Sequence, residues 1–399
     1  MAQAINAGFP FRRLNPSRRL SEALSGAAAL AVILAACLIF PAPSFADAQD
    51  WAARLGSSSA EDRAFAACSI GSLGSREVLE SVPALVGLLA DAAETSPAAC
   101  RQGGSWRGER RMSSPGREAA IALSEAGSAV LEPVTRALRA PEAAARGNAA
   151  MALGLIESPS SVDPLVSVLG DDSPAVRAEA SWALGMIESP RAAEPLVAAL
   201  EDREGAVRKK AAWALGMIES PAAVPGLAEA LSDPEAKVRE RAAWALGMIE
   251  SPEAVPGLAR ALSDGEAGVR ARASWALGMI ESPDGVKALV AVLADPEDKV
   301  RERASWALGM IESPEAVPGL LGLAGDGSPK VREQVAWALG MIEDPRAGES
   351  LIGLLEDPSA EVRKKALWAL ERCLDVRDPD LDSAALAAAL RRSLSKAGR

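Results

Sequence analysis

Apolar residues recur along most of the chain at the spacing of amphipathic helices, and the pattern repeats every 31 residues. In residues 233–263, two consecutive runs of apolar residues each fall on one face of a helix. These two runs are Val238, Ala242, Ala245, Leu246 and Ile249, and then Val255, Leu258 and Leu262. The pattern therefore predicts two helices in each 31-residue repeat.

Residues at the ends of these runs predict where each helix begins and ends. Asp233-Pro234-Glu235 predicts the start of the first helix, with Asp233 as its cap. Ser251-Pro252 predicts the end of that helix and the start of the second, with Ser251 as the cap. One helix pair cannot bury both of its apolar faces, so neighbouring repeats must stack on each other.

Tryptophan marks one position of the repeat. The sequence Trp-Ala-Leu-Gly-Met-Ile-Glu occurs six times, and a seventh tryptophan follows after the same interval. The seven are Trp182, Trp213, Trp244, Trp275, Trp306, Trp337 and Trp368. Cys68, Ile121 and Met151 take this place in three earlier repeats, which gives ten repeats in all.

The repeated residues resemble the short HEAT-like repeat of phycobilin lyases and of many bacterial scaffold proteins. The resemblance is carried by Asp-x-x-x-x-x-Val-Arg, Ala-x-x-Ala-Leu-Gly-x-Ile and Ala-Val-Pro-x-Leu, and it covers most of the chain after residue 60. It implies an all-α, right-handed superhelical α-solenoid of about ten two-helix repeats, with the second helices on the concave face. It implies little about function, because this repeat serves both enzymes and adaptors.

Three rows of residues recur with the repeat, and we expect them to be mainly structural. The tryptophan row is interpreted as packing between repeats, with an exposed aromatic binding row as the alternative. Asp233 and Arg239 represent a row of Asp and Arg residues that we expect to bond along the stack and to tie loop to helix. Glu250 represents a third row near the ends of the first helices, interpreted as a cap or solvated rim, or as an acidic strip for a basic partner.

The chain is predicted to have four parts. Residues 1–46 are predicted to be a signal peptide, and residues 47–59 a linker. Residues 60–381 are predicted to form the repeat solenoid, with an insertion at 92–115, and residues 382–399 a capping helix and basic tail. Cleavage after Ala46 would place the protein outside the cytoplasm, most simply in the periplasm.

Other interpretations of the N-terminus remain open. Leu34-Ala35-Ala36-Cys37 resembles a lipoprotein box, which would anchor the protein through a lipid on Cys37. Arg18-Arg19 suggests a twin-arginine signal, and an uncleaved anchor is a further alternative. The membrane is expected to be a partner only through this segment.

Composition excludes several kinds of chemistry. The chain contains no His and no Tyr, which excludes Ser/His/Asp sites, Cys/His sites and His-ligated metals. The resemblance therefore cannot extend to deoxyhypusine hydroxylase, a repeat protein whose iron is held by His-Glu pairs. Removing residues 1–46 changes the formal net charge from −11 to −14, which disfavours nucleic acid as a partner. We expect no cofactor and no metal.

These observations predict a non-catalytic scaffold or adaptor of the bacterial envelope that binds a protein or peptide on the concave face. The alternative is a bilin-lyase-like or other ligand-handling enzyme of the same repeat family. The candidate surface is the set of second-helix positions that differ between repeats, with Glu229, Arg260 and Lys287 near its middle. Sequence drift after recent duplication would produce the same variation.

The insertion is the least repetitive stretch after the signal segment. Its candidate binding residues are Arg101, Trp106, Arg107, Arg110 and Arg111, because Trp and Arg are enriched in binding hot spots. A structural clasp and simple disorder are the alternatives. Cys68 and Cys100 are predicted to form a disulfide that pins this loop, with Cys373 left buried and free.

Overall fold

The computed structural model describes residues 45–95 and 113–373. Across these two ranges every regular element is helical, apart from an isolated bridge between Thr95 and Ser113. The chain divides into two compact bodies, an N-terminal body of residues 1–164 and a C-terminal body of residues 165–399. Each body is described by itself below.

The N-terminal body contains three repeats, preceded by a helix at Phe45–Arg54. Trp51 of this preceding helix contacts Phe65 edge-on, with 5.4 Å between ring centroids. The segment predicted to be a linker at residues 47–59 is therefore partly helical and packs on the first repeat, because Trp51 supplies an apolar anchor. The first helices are Ala60–Leu73, Pro115–Ser124 and Ala143–Ile156, and the second helices are Ser75–Leu88, Leu131–Ala137 and Val162–Ser167, the last of which runs across the body boundary.

The C-terminal body contains seven first helices of 14 residues each. They are Pro174–Ile187, Gly205–Ile218, Ala236–Ile249, Ala267–Ile280, Asp298–Ile311, Pro329–Ile342 and Ala360–Cys373. The shorter second helices are Ala193–Ala199, Val224–Ala230, Val255–Ala261, Val286–Ala291, Val317–Leu321 and Gly348–Leu354, and each follows a three-residue 3-10 turn. Ten first helices thus lie in the described part of the chain, which confirms the prediction of an all-α solenoid.

The first helices begin two residues later than the sequence predicts. The Asp233 carboxylate accepts the backbone N–H of Glu235 at 2.8 Å, which forms a turn ahead of the helix. Glu235 is the cap residue in extended conformation, and the helix begins at Ala236. The prediction that Asp233 itself caps the helix is wrong, because its side chain stabilises the preceding turn instead.

The second helices also begin differently from the prediction. Ser251 occupies the cap position, but its side chain makes no capping hydrogen bond. Pro252 follows it and opens the 3-10 turn Pro252–Ala254. The fixed φ of proline therefore starts this element, while the serine hydroxyl contributes no cap at this repeat.

The apolar residues predicted from the repeat form the core. Val238, Ala242, Ala245 and Leu246 are completely buried, and so is Leu258 of the second helix. Ile249, at the end of the first helix, is only partly buried. The two apolar faces of one repeat therefore meet each other and those of the adjacent repeats, as the stacking argument requires.

A close approach between backbones joins successive first helices. A Cβ atom placed on Gly247 would lie 2.9 Å from the Cα atom of Ala276 and 2.7 Å from Cζ3 of Trp275, both in the next repeat. Only glycine leaves room for this contact. The same arrangement occurs at six glycines of the C-terminal body: Gly185, Gly216, Gly247, Gly278, Gly309 and Gly340.

Each tryptophan from Trp213 to Trp368 thus packs against the glycine of the preceding repeat. Trp275 is 4% exposed, and the other tryptophans of the row are partly buried. Among the described residues, Leu79 is the one large apolar side chain classed as exposed. This geometry corresponds to packing between repeats and leaves no exposed aromatic row.

The first repeat keeps the same close approach despite its altered sequence. A Cβ atom on Gly71 would lie 3.0 Å from the Cα atom of Ala122 in the following first helix. Cys68 occupies the place of tryptophan and is buried. The glycine contact is therefore retained where the tryptophan is lost.

We predict that Gly247→Ala destabilises the protein by about 1–3 kcal/mol, because the added methyl group overpacks the Ala276 backbone. Gly353→Ala is the matched control, since a Cβ atom there meets nothing within 4 Å. The control is expected to stabilise by up to about 1 kcal/mol through helix propensity. Chemical denaturation measures both changes, and equal effects at the two positions would contradict the close-approach argument.

Candidate functional site

A row of arginines joins each repeat of the C-terminal body to the next. Arg239 donates from Nε and Nη2 to the two carboxylate oxygens of Asp264, at 2.7 and 2.9 Å. Its Nη1 donates to the backbone carbonyl of Asp233 at 2.9 Å. One guanidinium group therefore holds the loop before its own helix and the aspartate of the following repeat.

The same forked pair recurs six times, with Nε to carboxylate distances of 2.6 or 2.7 Å. The arginine bonds to the carboxylate that lies 25 residues later, and it reaches the aspartate six residues earlier only through a backbone carbonyl. The pairs are Arg177–Asp202, Arg208–Asp233, Arg239–Asp264, Arg270–Asp295, Arg301–Asp326 and Arg332–Asp357.

These pairs hold the aspartates in the ionised state. The hydrogen bond from Arg239 is the main cause that lowers the pKa of Asp264 below its ordinary value. The pKa values of Asp202, Asp295, Asp326 and Asp357 are lowered in the same way. A depressed pKa means that the stabilisation is present above the ordinary aspartate range, near pH 4, and is lost as pH falls below it. Such carboxylates are poor proton donors near neutral pH.

Each of several first helices ends at a glutamate whose backbone has the strained left-handed conformation. Seven glutamates, one in each of seven successive repeats, have φ between 54° and 56°, and within residues 45–95 and 113–373 no other residue except glycine has a positive φ. The pKa of Glu219 is raised by burial and by the charges of Glu250 and Glu188, so neighbouring members repel each other. The row is Glu157, Glu188, Glu219, Glu250, Glu281, Glu312 and Glu343.

The positions that vary between repeats lie on the second helices and are exposed. Glu229, Arg260 and Lys287, the residues predicted to lie near the middle of a binding face, are all exposed. The equivalent positions in other repeats are exposed as well: Ser167, Ala198, Ala291, Gly322 and Gly353 in one row, and Asp163, Glu194, Pro225, Pro256, Pro318 and Glu349 in the other.

A second set of arginines lies on the first helices, three residues before tryptophan. The Cζ atom of Arg241 lies over the ring of Trp244, 5.3 Å from its centroid, and Arg272 lies 5.4 Å from the centroid of Trp275. Both side chains are partly buried. Burial is the main cause that lowers the pKa of both groups.

Comparison with known proteins gives a family for this architecture. A model described as HEAT repeats matches five overlapping segments, residues 116–175, 131–216, 162–235, 224–304 and 286–371. Together these cover well over half of the chain. The chain belongs to the HEAT-repeat family.

Solved structures resemble the fold at low sequence identity. A chain in the complex of Kap95p with RanGDP is similar with a TM-score of 0.57 and 16% identity, over 82% of this chain and 51% of that chain. The CpcE and CpcF complex of phycocyanin lyase from Nostoc sp. PCC7120 is similar at 25% identity with a TM-score of 0.37, over 58% of this chain and 94% of that chain.

Human deoxyhypusine hydroxylase is similar at 25% identity with a TM-score of 0.29, over 64% of this chain and 99% of that chain. No curated protein sequence matches this chain. The comparisons therefore give the HEAT-repeat fold and leave the activity undefined.

Several residues predicted to be functional lie outside the described parts of this HEAT-repeat chain. These are Cys37, Cys100, Arg101, Trp106, Arg107, Arg110 and Arg111, together with most of the predicted signal peptide and the C-terminal tail. The base of the insertion is described, and it is closed by two hydrogen bonds of 2.9 Å between the backbones of Thr95 and Ser113. The two ends of the insertion are therefore held side by side.

The described cysteines have two different states. Cys68 is disulfide-bonded, and its partner lies outside the described residues. The pairing with Cys100 remains a prediction. Cys373 is a free, buried thiol that donates to the Leu339 carbonyl, and burial raises its pKa to about 11. At neutral pH this thiol is protonated and therefore a poor nucleophile.

Two kinds of feature are absent from residues 45–95 and 113–373. No cluster of three acidic or Cys side chains in these HEAT repeats has the arrangement needed for a metal ion. No helix in the same ranges combines the length and the apolar character needed to span a membrane.

The sequence analysis did not single out the arginines that lie over tryptophan. Their signal was the position three residues before the tryptophan, which varies along the row of HEAT repeats: Glu179, Lys210, Arg241, Arg272, Arg303, Gln334 and Lys365. Arginine occupies this position only in three consecutive repeats of the row.

We predict that Arg239→Gln and Asp264→Asn each destabilise the protein by about 1–3 kcal/mol, because each leaves a largely buried partner without its hydrogen bonds. The double variant should lose less than the sum, with a coupling of at least about 1 kcal/mol. Arg260→Gln, on an exposed side chain, should change stability by no more than about 0.5 kcal/mol. Additive losses in urea denaturation would contradict the proposed joint between repeats.

We predict that peptide mapping of unreduced protein yields one linked peptide containing Cys68 and Cys100, while Cys373 is alkylated after unfolding without reduction. The reason is that Cys68 is disulfide-bonded while Cys373 is a free thiol. Alkylation of Cys100 without prior reduction would rule out this pairing.

Proposed function

We propose that this HEAT-repeat protein is a non-catalytic scaffold that binds a protein or peptide on the face formed by its second helices. The observation that carries the proposal is the exposure of both variable second-helix rows in every repeat from Val162–Ser167 onward. The shared Trp, Gly, Arg and Asp residues hold the repeats together, while the two variable rows of the second helices face solvent.

The division between shared and variable residues supports binding along a surface. Tryptophan and glycine are used between first helices, and Arg and Asp between successive loops. What distinguishes one repeat from another is therefore a set of side chains such as Glu229, Arg260 and Lys287, which touch solvent. An extended face built from several repeats suits a polypeptide better than a compact small molecule.

The chemistry of the described residues supports a role without catalysis. Forked arginine bonds keep the aspartates of the repeats ionised, so they do not form a pair of carboxylates with separated pKa values. The chain has no His or Tyr to act as a general base or acid. The proposal includes export to the bacterial envelope, which rests on the Arg-rich and apolar character of residues 1–46.

We predict that a photo-crosslinking residue at Ala198 or Ala291 captures a discrete partner from the native host, because both positions are exposed on second helices. The control positions are Glu253 and Asp284, which are exposed on the 3-10 turns at the rim. Adding Arg260→Glu and Lys287→Glu should reduce capture at the first two positions.

Mass spectrometry of the captured species identifies the partner, and competition with unlabelled protein tests saturation. Equal capture at the second-helix and rim positions would contradict the proposed face. Capture that is unaffected by the two charge reversals would also contradict it.

A further inference from the structure

Two arginines that lie two residues apart in the same helix differ in their hydrogen bonding. Arg239 uses Nε, Nη1 and Nη2 in hydrogen bonds to Asp264 and Asp233. Arg241, about 200° further around the same helix, donates no hydrogen bond and forms no ion pair within the part of the chain that the structure describes. The same contrast separates Arg270, which is fully bonded to Asp295, from Arg272.

The nearest acid does not neutralise these groups by contact. Glu240 affects the pKa of both Arg241 and Arg272 through its charge, but its carboxylate is bonded to Lys237 Nζ at 2.8 Å. Arg241 and Arg303 are close enough to act on Arg272 as like charges. Partly buried cations without a bonded counter-ion cost free energy, so this arrangement is poorly compensated in the isolated protein.

The contact with tryptophan leaves the guanidinium edge available. A cation over an indole ring is stabilised through the ring face, and the planar guanidinium group keeps its in-plane N–H donors for another partner. A carboxylate can accept two of these donors in parallel, which is the most favourable geometry for an arginine. Arg241 over Trp244 and Arg272 over Trp275 therefore present prepared sites for carboxylates.

We propose that Arg241 and Arg272, here called the arginine row, bind an acidic polypeptide segment in the polyproline II conformation. Equivalent residues of stacked helices lie about 8–10 Å apart. A polyproline II chain rises about 3.1 Å per residue and returns to the same face every third residue, so its carboxylates would recur about every 9 Å. The segment therefore carries Asp or Glu at every third position.

Charge and surface chemistry favour such a segment over nucleic acid. A polyphosphate backbone requires a longer basic stripe than two arginines. The partly buried ring of Trp244 next to the row also suits proline side chains, which pack on aromatic groups. The row lies on first helices, so this proposal is independent of the second-helix face.

The test is binding of fluorescent peptides to the full chain, followed by anisotropy. The probe is Glu-Pro-Pro repeated four times, and the matched peptide has the same composition with its glutamates contiguous. We expect saturable binding of the spaced peptide and at least several-fold weaker binding of the contiguous one. Arg241→Gln with Arg272→Gln should weaken binding by at least about tenfold, since each arginine contributes charge-assisted hydrogen bonds.

Arg203→Gln is the matched control, because Arg203 is an exposed arginine in the loop before the first helix Gly205–Ile218 and belongs to neither proposed binding surface. It should leave peptide affinity unchanged, and Arg241→Lys with Arg272→Lys should be intermediate because it keeps the charge without the fork. No saturable binding, equal loss with Arg203→Gln, or no loss in the double Gln variant would overturn the proposal. Tighter binding of oligothymidine than of the peptide would overturn it in favour of a phosphate site.

Thermal melting separates binding from folding. Because the double Gln variant removes charges that are partly buried and unpaired, its melting temperature should equal or exceed that of the unaltered protein. A clear decrease would show that the arginines serve the packing of Trp244 and Trp275, and would overturn the assignment of a binding role.

Discussion

The distance between neighbouring first helices depends on the contact between a glycine of one repeat and an alanine of the next. At Gly247 a single methyl group would meet the backbone of Ala276, so the two helices come as close as helices can. The indole of Trp275 then covers the same glycine from the side. This spacing also brings Arg239 within reach of Asp264, and the forked bond forms as a result. The tight backbone contact thus fixes the geometry in which every other link between repeats operates.

The arginines show how one residue type takes two roles within the same helix. Arg239 is directed to the loops, where a carboxylate and a backbone carbonyl occupy its donors. Arg241 is directed across the helix surface, where its guanidinium group lies over the ring of Trp244. It has no hydrogen-bond acceptor among the described residues. The difference arises from a shift of two positions, about 200° around the helix axis. The first role holds the stack together, and the second is the basis of the proposed binding of an acidic segment.

The 31-residue period was sufficient to predict the helix pairs, the buried apolar stripes and the solenoid, because stacking is the only way to bury two such faces. It could not predict which aspartate each arginine binds. Asp233 and Asp264 have equivalent places in the period, and only the tertiary spacing makes Arg239 choose the later one. The left-handed conformation of Glu250 was also hidden, because glycine or asparagine is the usual signal for it. The repeat did not single out Arg241, because the equivalent position holds Glu179, Lys210 or Gln334 in other repeats.

The ion pair between Arg239 and Asp264, which joins two repeats, has a direction. The arginine of each repeat binds the aspartate of the following repeat, and its own aspartate is bound by the arginine of the preceding one. Every joint in the C-terminal body is therefore interchangeable with every other. If residues 233–263 were lost in frame, Asp264 would take the place of Asp233 opposite Arg208, and the same forked bond would close the gap. Recombination between repeats of the gene can thus lengthen or shorten the protein without creating a new kind of interface. The number of repeats can therefore change during evolution in steps of one repeat, while the residues that hold the repeats together stay the same.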